Sequence, residues 1–190
     1  MATYHPSITD EQAALIRGAA LFFVASADPQ LSGGPNDVGP VNVSPKGGVP
    51  LHILDRNRVA YLDYRGSGNE TARHCAAGGP VTVMVCSFDE DAAIVRLFGR
   101  ARVTLLTESP LAPRLLEHPA AELKGSPRQV IEVEIDSTMT SCGYGVPIMD
   151  LERQRRTSDR GRRYKDTNEA RARKSAIPYC ALGDPTGEHA

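Results

Sequence analysis

Apolar positions in this chain fall into strand-length runs. Leu21 to Ala27 reads LFFVASA, a continuous run of the kind that fills the centre of a sheet or barrel. Leu51 to Leu54 and Arg58 to Tyr64 are separated by Asp55-Arg56-Asn57, a hairpin-sized connection. Val81 to Phe88 is rich in β-formers, and Ala93 to Leu106 alternates cleanly. Val95, Leu97, Gly99, Ala101, Val103 and Leu105 share one face there, and Arg96, Arg100 and Arg102 share the other with Ile94, Phe98 and Thr104. Gly99 is expected to mark a bend or a close backbone approach. Gln129 to Ser137 alternates again, with Ile131, Val133 and Ile135 opposite Glu132 and Glu134. Val41 to Ser44 reads as a strand end, turned by Pro45-Lys46-Gly47-Gly48.

Helical signals are fewer. Thr9 followed by Gln12 is a capping box opening a helix to about Gly18. Ser67 followed by Glu70 is a second box, and Gly78-Gly79-Pro80 ends its helix near Ala77. Ser109-Pro110 predicts a third, running to about His118 with proline at its first position. Six or seven strands, few helices and hairpin-length links predict a mainly β (α+β) fold, a small closed barrel rather than a parallel sheet.

With 190 residues and 41% apolar composition the chain can bury one core. We expect one barrel domain over 1–150 and a basic C-terminal arm over 151–190. The arm follows from charge: residues 152–174 hold ten Lys/Arg against four Asp/Glu, leaving −7 on the remainder against −1 overall. Its cations are interrupted by acids and carry a single tyrosine, which fits a solvated helix or an arm crossing onto a partner better than a nucleic-acid surface. Arg171 or Lys174 could alternatively close over a substrate. Cys75, Cys86, Cys142 and Cys180 show neither C-x-x-C nor zinc-ligand spacing, and predict reduced thiols. With no leader pattern and no membrane-length apolar run, a soluble cytoplasmic protein is expected.

The stretch from Arg58 to His74 passes from a strand through Gly66 and Gly68 into a helix, an arrangement suited to an anion. Two other readings stay open: an ordinary capped helix, in which Glu70 already uses the helix dipole, and a dinucleotide fingerprint with Thr71 in place of its third glycine.

Four blocks in order, Val41-Asn42-Val43-Ser44-Pro45-Lys46-Gly47, then DYRGSGNETARH from Asp63, then Arg96-Leu97-Phe98-Gly99-Arg100-Ala101, then Ser141-Cys142-Gly143-Tyr144-Gly145-Val146-Pro147, resemble the pyridoxamine 5'-phosphate oxidase-like proteins. The resemblance covers roughly residues 8 to 150. It implies an FMN-binding split β-barrel with a few flanking helices, built as a homodimer with cofactor at the interface. Val43, Ser44, Pro45, Lys46 and Gly47 would lie along the flavin, Lys46 reaching an acidic part of it. Asn69 and Thr71 would face the phosphate, with Tyr64, Arg65, Gly66 and Ser67 in the preceding loop. Where the oxidase has Ser-Arg-Lys, this chain aligns Asn69-Glu70-Thr71, two positive charges fewer. Phosphate would then be held by backbone N–H groups, hydroxyls, and Lys46, Arg65 or an arginine such as Arg96.

The implied activity is that of an FMN-dependent oxidoreductase on an unidentified small substrate, not a true pyridoxamine-phosphate oxidase, whose substrate-phosphate cluster has no match here. The alternative from the same resemblance is a non-catalytic carrier of flavin, of the deazaflavin F420 or of haem. Tyr144 either edges the flavin or packs on the barrel mouth. Cys142 is either a reactive thiol or a small packing residue. His74 reads as a surface or capping histidine rather than a catalytic one. No Ser/His/Asp order and no metal-ligand spacing is visible.

Overall fold

A computed structural model describes residues 2–31, 40–64, 68–119 and 127–155. The elements are β1 (Thr3–His5), α1 (Asp10–Gly18), β2 (Leu21–Ala27), β3 (Val41–Gly47), β4 (His52–Asp55), β5 (Arg58–Tyr64), α2 (Glu70–Ala76), β6 (Pro80–Cys86), β7 (Ala93–Leu105), α3 (Ala112–Leu116) and β8 (Pro127–Cys142). One antiparallel sheet runs β3-β2-β6-β7-β8-β5-β4, and β1 pairs with the far end of β8. Among the described residues the sheet has eight strands rather than six or seven, because Thr3–His5 adds a strand too short to leave a periodic signal. The hydrogen-bonded order ends at β3 and β4, so the barrel is split and not closed by a ladder between them.

Strand parity sorts the core. Val24, Val83 and Leu97 stand in one row across β2, β6 and β7, each fully buried, and Val59, Tyr61, Val133 and Ile131 face them from β5 and β8. The other face of β5, Ala60 and Leu62, packs with Val130 beneath Ala112 and Leu115 of α3. Leu115 is fully buried. Burying such a leucine contributes about 1.5–3 kcal/mol, enough to hold a five-residue helix that could not persist alone.

β8 is longer than its alternation suggests. The β7–β8 register jumps between Phe98 and Gly99, leaving Asp136 as an extra residue on β8. Inward positions therefore switch from Ile131, Val133 and Ile135 to Thr138, which is fully buried and donates to Gln12 Oε1 at 2.9 Å. Gly99 sits at this bulge as expected, and a Cβ there would collide with the carbonyl of Glu134.

The Thr9 capping box forms, with Gln12 N–H donating to Thr9 Oγ1 at 3.2 Å and Thr9 N–H to Gln12 Oε1 at 3.1 Å. α2 begins at Glu70, later than the Ser67 box predicts, with Asn69 as N-cap and no capping side-chain bond, and Glu70 pairs with Arg73 at 3.5 Å. Ser67 lies outside the described residues. α2 ends as predicted, with Gly78 at φ 79° and Gly79 N–H closing on the His74 carbonyl at 2.7 Å. The Ser109-Pro110 helix shrinks to α3, whose early proline is Pro113. Pro45-Lys46-Gly47 belongs to β3 rather than to a turn, because an edge strand tolerates proline, and Gly48 at φ 71° makes the turn. Of the expected arm, only 151–155 is described. No helix among the described residues is long and apolar enough to cross a membrane.

Candidate functional site

One end of the barrel interior is polar. On β3 the side chains of Asn42, Ser44 and Lys46 share the inward row with Ser26, Val24 and Phe22 of β2, while Val41 and Val43 point outward and are 61% and 63% exposed. Lys46 Nζ donates to Asp63 Oδ1 of β5 at 3.1 Å and lies 5.8 Å from the Tyr61 ring centroid. Asp63 is 4% exposed and its other oxygen accepts from Arg128 Nε at 2.7 Å and Gln129 Nε2 at 2.8 Å. Gln129 Nε2 donates also to Asn69 Oδ1 at 3.0 Å, and Arg128 Nη2 donates to the Gly68 carbonyl at 3.0 Å. Two cations thus meet on one buried carboxylate at this end, where the low dielectric strengthens both pairs.

α2 plugs that end through matched polar pairs. Asn69 meets Gln129, Thr71 Oγ1 accepts from Asn42 Nδ2 at 3.1 Å, and His74 Nδ1 stands 3.0 Å from Ser26 Oγ. His74 is buried, against the surface role expected for it; its bond to Ser26 docks the helix. Three buried atoms around this end have no hydrogen-bond partner among the described residues: Asn69 Nδ2, Tyr61 Oη and Arg73 Nε. Burial, then the Asp63 charge, pushes the Tyr61 hydroxyl well above its ordinary pKa, so it stays protonated as a donor. An unsatisfied buried donor typically costs about 1–3 kcal/mol, so such atoms mark where an acceptor is wanted.

The residues expected to bind cofactor divide into groups. Lys46, Ser44, Asn69 and Thr71 come together at the polar end. Gly47 ends β3 beside Leu21, and Tyr64 ends β5, half-buried against the core with its hydroxyl pKa raised by burial. Val43 and Pro45 occupy the opposite, outward face of β3. Arg96 shares that outer face, in a row running through Met84 and Phe23 to Pro45, and donates to Ser141 Oγ at 3.0 Å. Cys142 ends β8, thirteen residues from Gln129, roughly 40 Å along a strand at about 3.3 Å per residue. Tyr144 is 92% exposed and packs on no barrel mouth in the chain. Arg65, Gly66 and Ser67 lie outside the described residues. No group of three or more His, Cys, Asp or Glu among the described residues could hold a metal.

No protein-family model matches the chain. Over 154 residues it is 36% identical to the pyridoxamine 5'-phosphate oxidase family protein ustO of Aspergillus flavus, a match covering 80% of this chain and 58% of that protein. Among solved structures, a candidate pyridoxamine 5'-phosphate oxidase from Lactobacillus delbrueckii superposes with TM-score 0.51 at 21% identity, covering 70% of this chain and 94% of the other. HupZ of Group A Streptococcus superposes with TM-score 0.52 at 21% identity, covering 67% and 89%. The chain has the fold of the pyridoxamine 5'-phosphate oxidase-like split barrels.

In this oxidase-like barrel the sequence singled out Lys46, Asn69 and Thr71 but not Asp63, Gln129, Arg128 or Asn42, which tie them together. Asp63 carried a signal, a carboxylate at an inward position of an otherwise apolar strand. Arg128 and Gln129 carried none, since their importance lies in cross-strand pairing that only the register reveals. The cations at this end, Lys46 and Arg128, come from β3 and β8.

Proposed function

We propose that this split barrel binds FMN with the phosphate at its polar end, held by Lys46, Asn69 and Thr71, and works as an oxidoreductase on a small substrate. One observation carries the reading: a buried asparagine with an unpartnered Nδ2, linked through Gln129 and Asp63 to a lysine that has donors to spare. These residues fit a phosphate, whose oxygens only accept. Bound flavin would supply hydride and electron exchange, and the chain's groups would hold and orient it. Asp63 holds Lys46 and Arg128 in place, so the cations are positioned before the ligand arrives.

Cys142 lies at the opposite end of β8 from Gln129 and Tyr144 follows it, while Arg96 points out from the sheet face opposite Lys46. A homodimer resolves this, with the far end of one subunit completing the site of the other. The exposed valines of edge strand β3, on the reverse of the site-lining residues, give such a contact an apolar centre. The aligned region spans 58% of the Aspergillus flavus relative, so substrate and partner follow from this chain's own geometry and are tested on it.

The test is reduction of the protein-bound flavin by NAD(P)H and its reoxidation by candidate acceptors. Turnover supports an oxidoreductase. Tight binding with no turnover across the panel would replace it with a flavin carrier, and failure to bind flavin would remove both.

A further inference from the structure

We infer that Gln129 is a positioning residue that locks the Asn69 amide as a hydrogen-bond donor, so that the polar end of the barrel selects an acceptor-only group, the phosphate of its flavin. The inference rests on the flavin reading above and adds what decides the polarity of that site.

Asp63 fixes the first link. Its carboxylate can only accept, and it already takes bonds from Lys46 Nζ at 3.1 Å and Arg128 Nε at 2.7 Å. Gln129, directly across the β5–β8 ladder, must therefore turn its NH2 toward Asp63, and does so at 2.8 Å. The same nitrogen has a second hydrogen, which goes to Asn69 Oδ1 at 3.0 Å. Asn69 then has no freedom: its oxygen is spent on Gln129, and its Nδ2 is left facing elsewhere as a donor. That nitrogen has no partner among the described residues, although Asn69 is only 6% exposed.

Lys46 adds further N–H donors beyond the one given to Asp63. The nearby Glu70 carboxylate, over Gly68, is paired with Arg73 at 3.5 Å. A ligand group with its own donor would meet N–H against N–H at Asn69 Nδ2, whereas a phosphate oxygen accepts from it. The donor is set by β5 and β8 and does not draw on the dipole of α2, which is only seven residues long.

The experiment compares FMN with riboflavin, which shares the ring and ribityl chain and lacks the phosphate. Dissociation constants come from quenching of flavin fluorescence on the full chain, and the readout is the preference for FMN over riboflavin. Asn69→Asp reverses the donor while keeping the shape, and should cut that preference roughly tenfold or more, as expected for losing a hydrogen bond to a charged group. Gln129→Met removes the lock while keeping the length, and should cut it by about three- to tenfold. Riboflavin affinity should hold in both, which a general loss of structure would not allow. If wild type prefers FMN and Asn69→Asp keeps that preference, the inference is overturned and the flavin reading stands. If wild type binds both flavins equally, the inference is overturned too, because no phosphate is being read. If it binds neither, the flavin reading itself falls and takes the inference with it.

Discussion

Asp63 and Gln129 stand opposite each other on β5 and β8, with 2.8 Å between carboxylate oxygen and amide nitrogen, at the point where the apolar barrel interior turns polar. Toward one side lie Tyr61 and Ile131, both buried; toward the other, Lys46, Arg128 and Asn69 gather on these two side chains. An interior carboxylate of this kind is stable only because its cations are present.

Replacing Asp63 should therefore be costly. Asp63→Ala removes the carboxylate that Lys46 and Arg128 share, and loss of one partner from a buried ion pair typically costs about 3–5 kcal/mol. Urea unfolding of the variant against wild type measures it. A midpoint within experimental error of wild type would show that the cluster is solvated rather than buried.

Gly99 is a packing constraint at the β8 bulge. With a Cβ directed at the Glu134 carbonyl, Gly99→Ala must push two strands apart, at about 1–3 kcal/mol. The same unfolding measurement checks it, and an unchanged midpoint would contradict the close approach.

Alkaline stability should depend on Cys75. Burial raises its thiol pKa from 9.0 to about 11 in the folded chain, so the neutral thiol is favoured by folding. That contribution is full below the unfolded value and is lost as pH rises through the folded one, on the order of 3 kcal/mol across the window from 9 to about 11. Stability measured at pH 8 and pH 11 should fall less in Cys75→Ala than in wild type. Equal falls would place the alkaline sensitivity elsewhere, Tyr61 being the next buried acid.

The reading of the sequence reached the elements whose side chains alternate without interruption. Leu21–Ala27 and Arg58–Tyr64 match the structure residue for residue, and the Thr9 capping box and the role of Gly99 follow from local chemistry alone. It stopped short where tertiary contacts override the pattern. β8 runs on to Cys142 because the bulge at Asp136 turns Thr138 inward, where a hydroxyl bonded to Gln12 replaces the apolar residue that alternation looks for. In the site, Lys46 and Asn69 were visible as local motif residues. The lock between them was not, because Gln129 lies 60 residues beyond Asn69 and only the β5–β8 register brings its amide there.

The dimer reading makes a prediction at β3. Val43 is 63% exposed on an edge strand, so Val43→Lys should leave the fold intact and drive the protein toward monomer in sedimentation velocity. A wild-type protein that is already monomeric at high micromolar concentration would remove the dimer from the account.

Central to all of this is flavin at the polar end of the barrel. The most direct measurement is the absorption spectrum of the purified protein, followed by denaturation and identification of whatever chromophore is released, with added FMN titrated if none is. The account predicts a flavin spectrum with FMN released, or uptake of FMN by a colourless preparation. A protein that neither retains nor takes up FMN would contradict it, and a Soret-type band would redirect the site to haem.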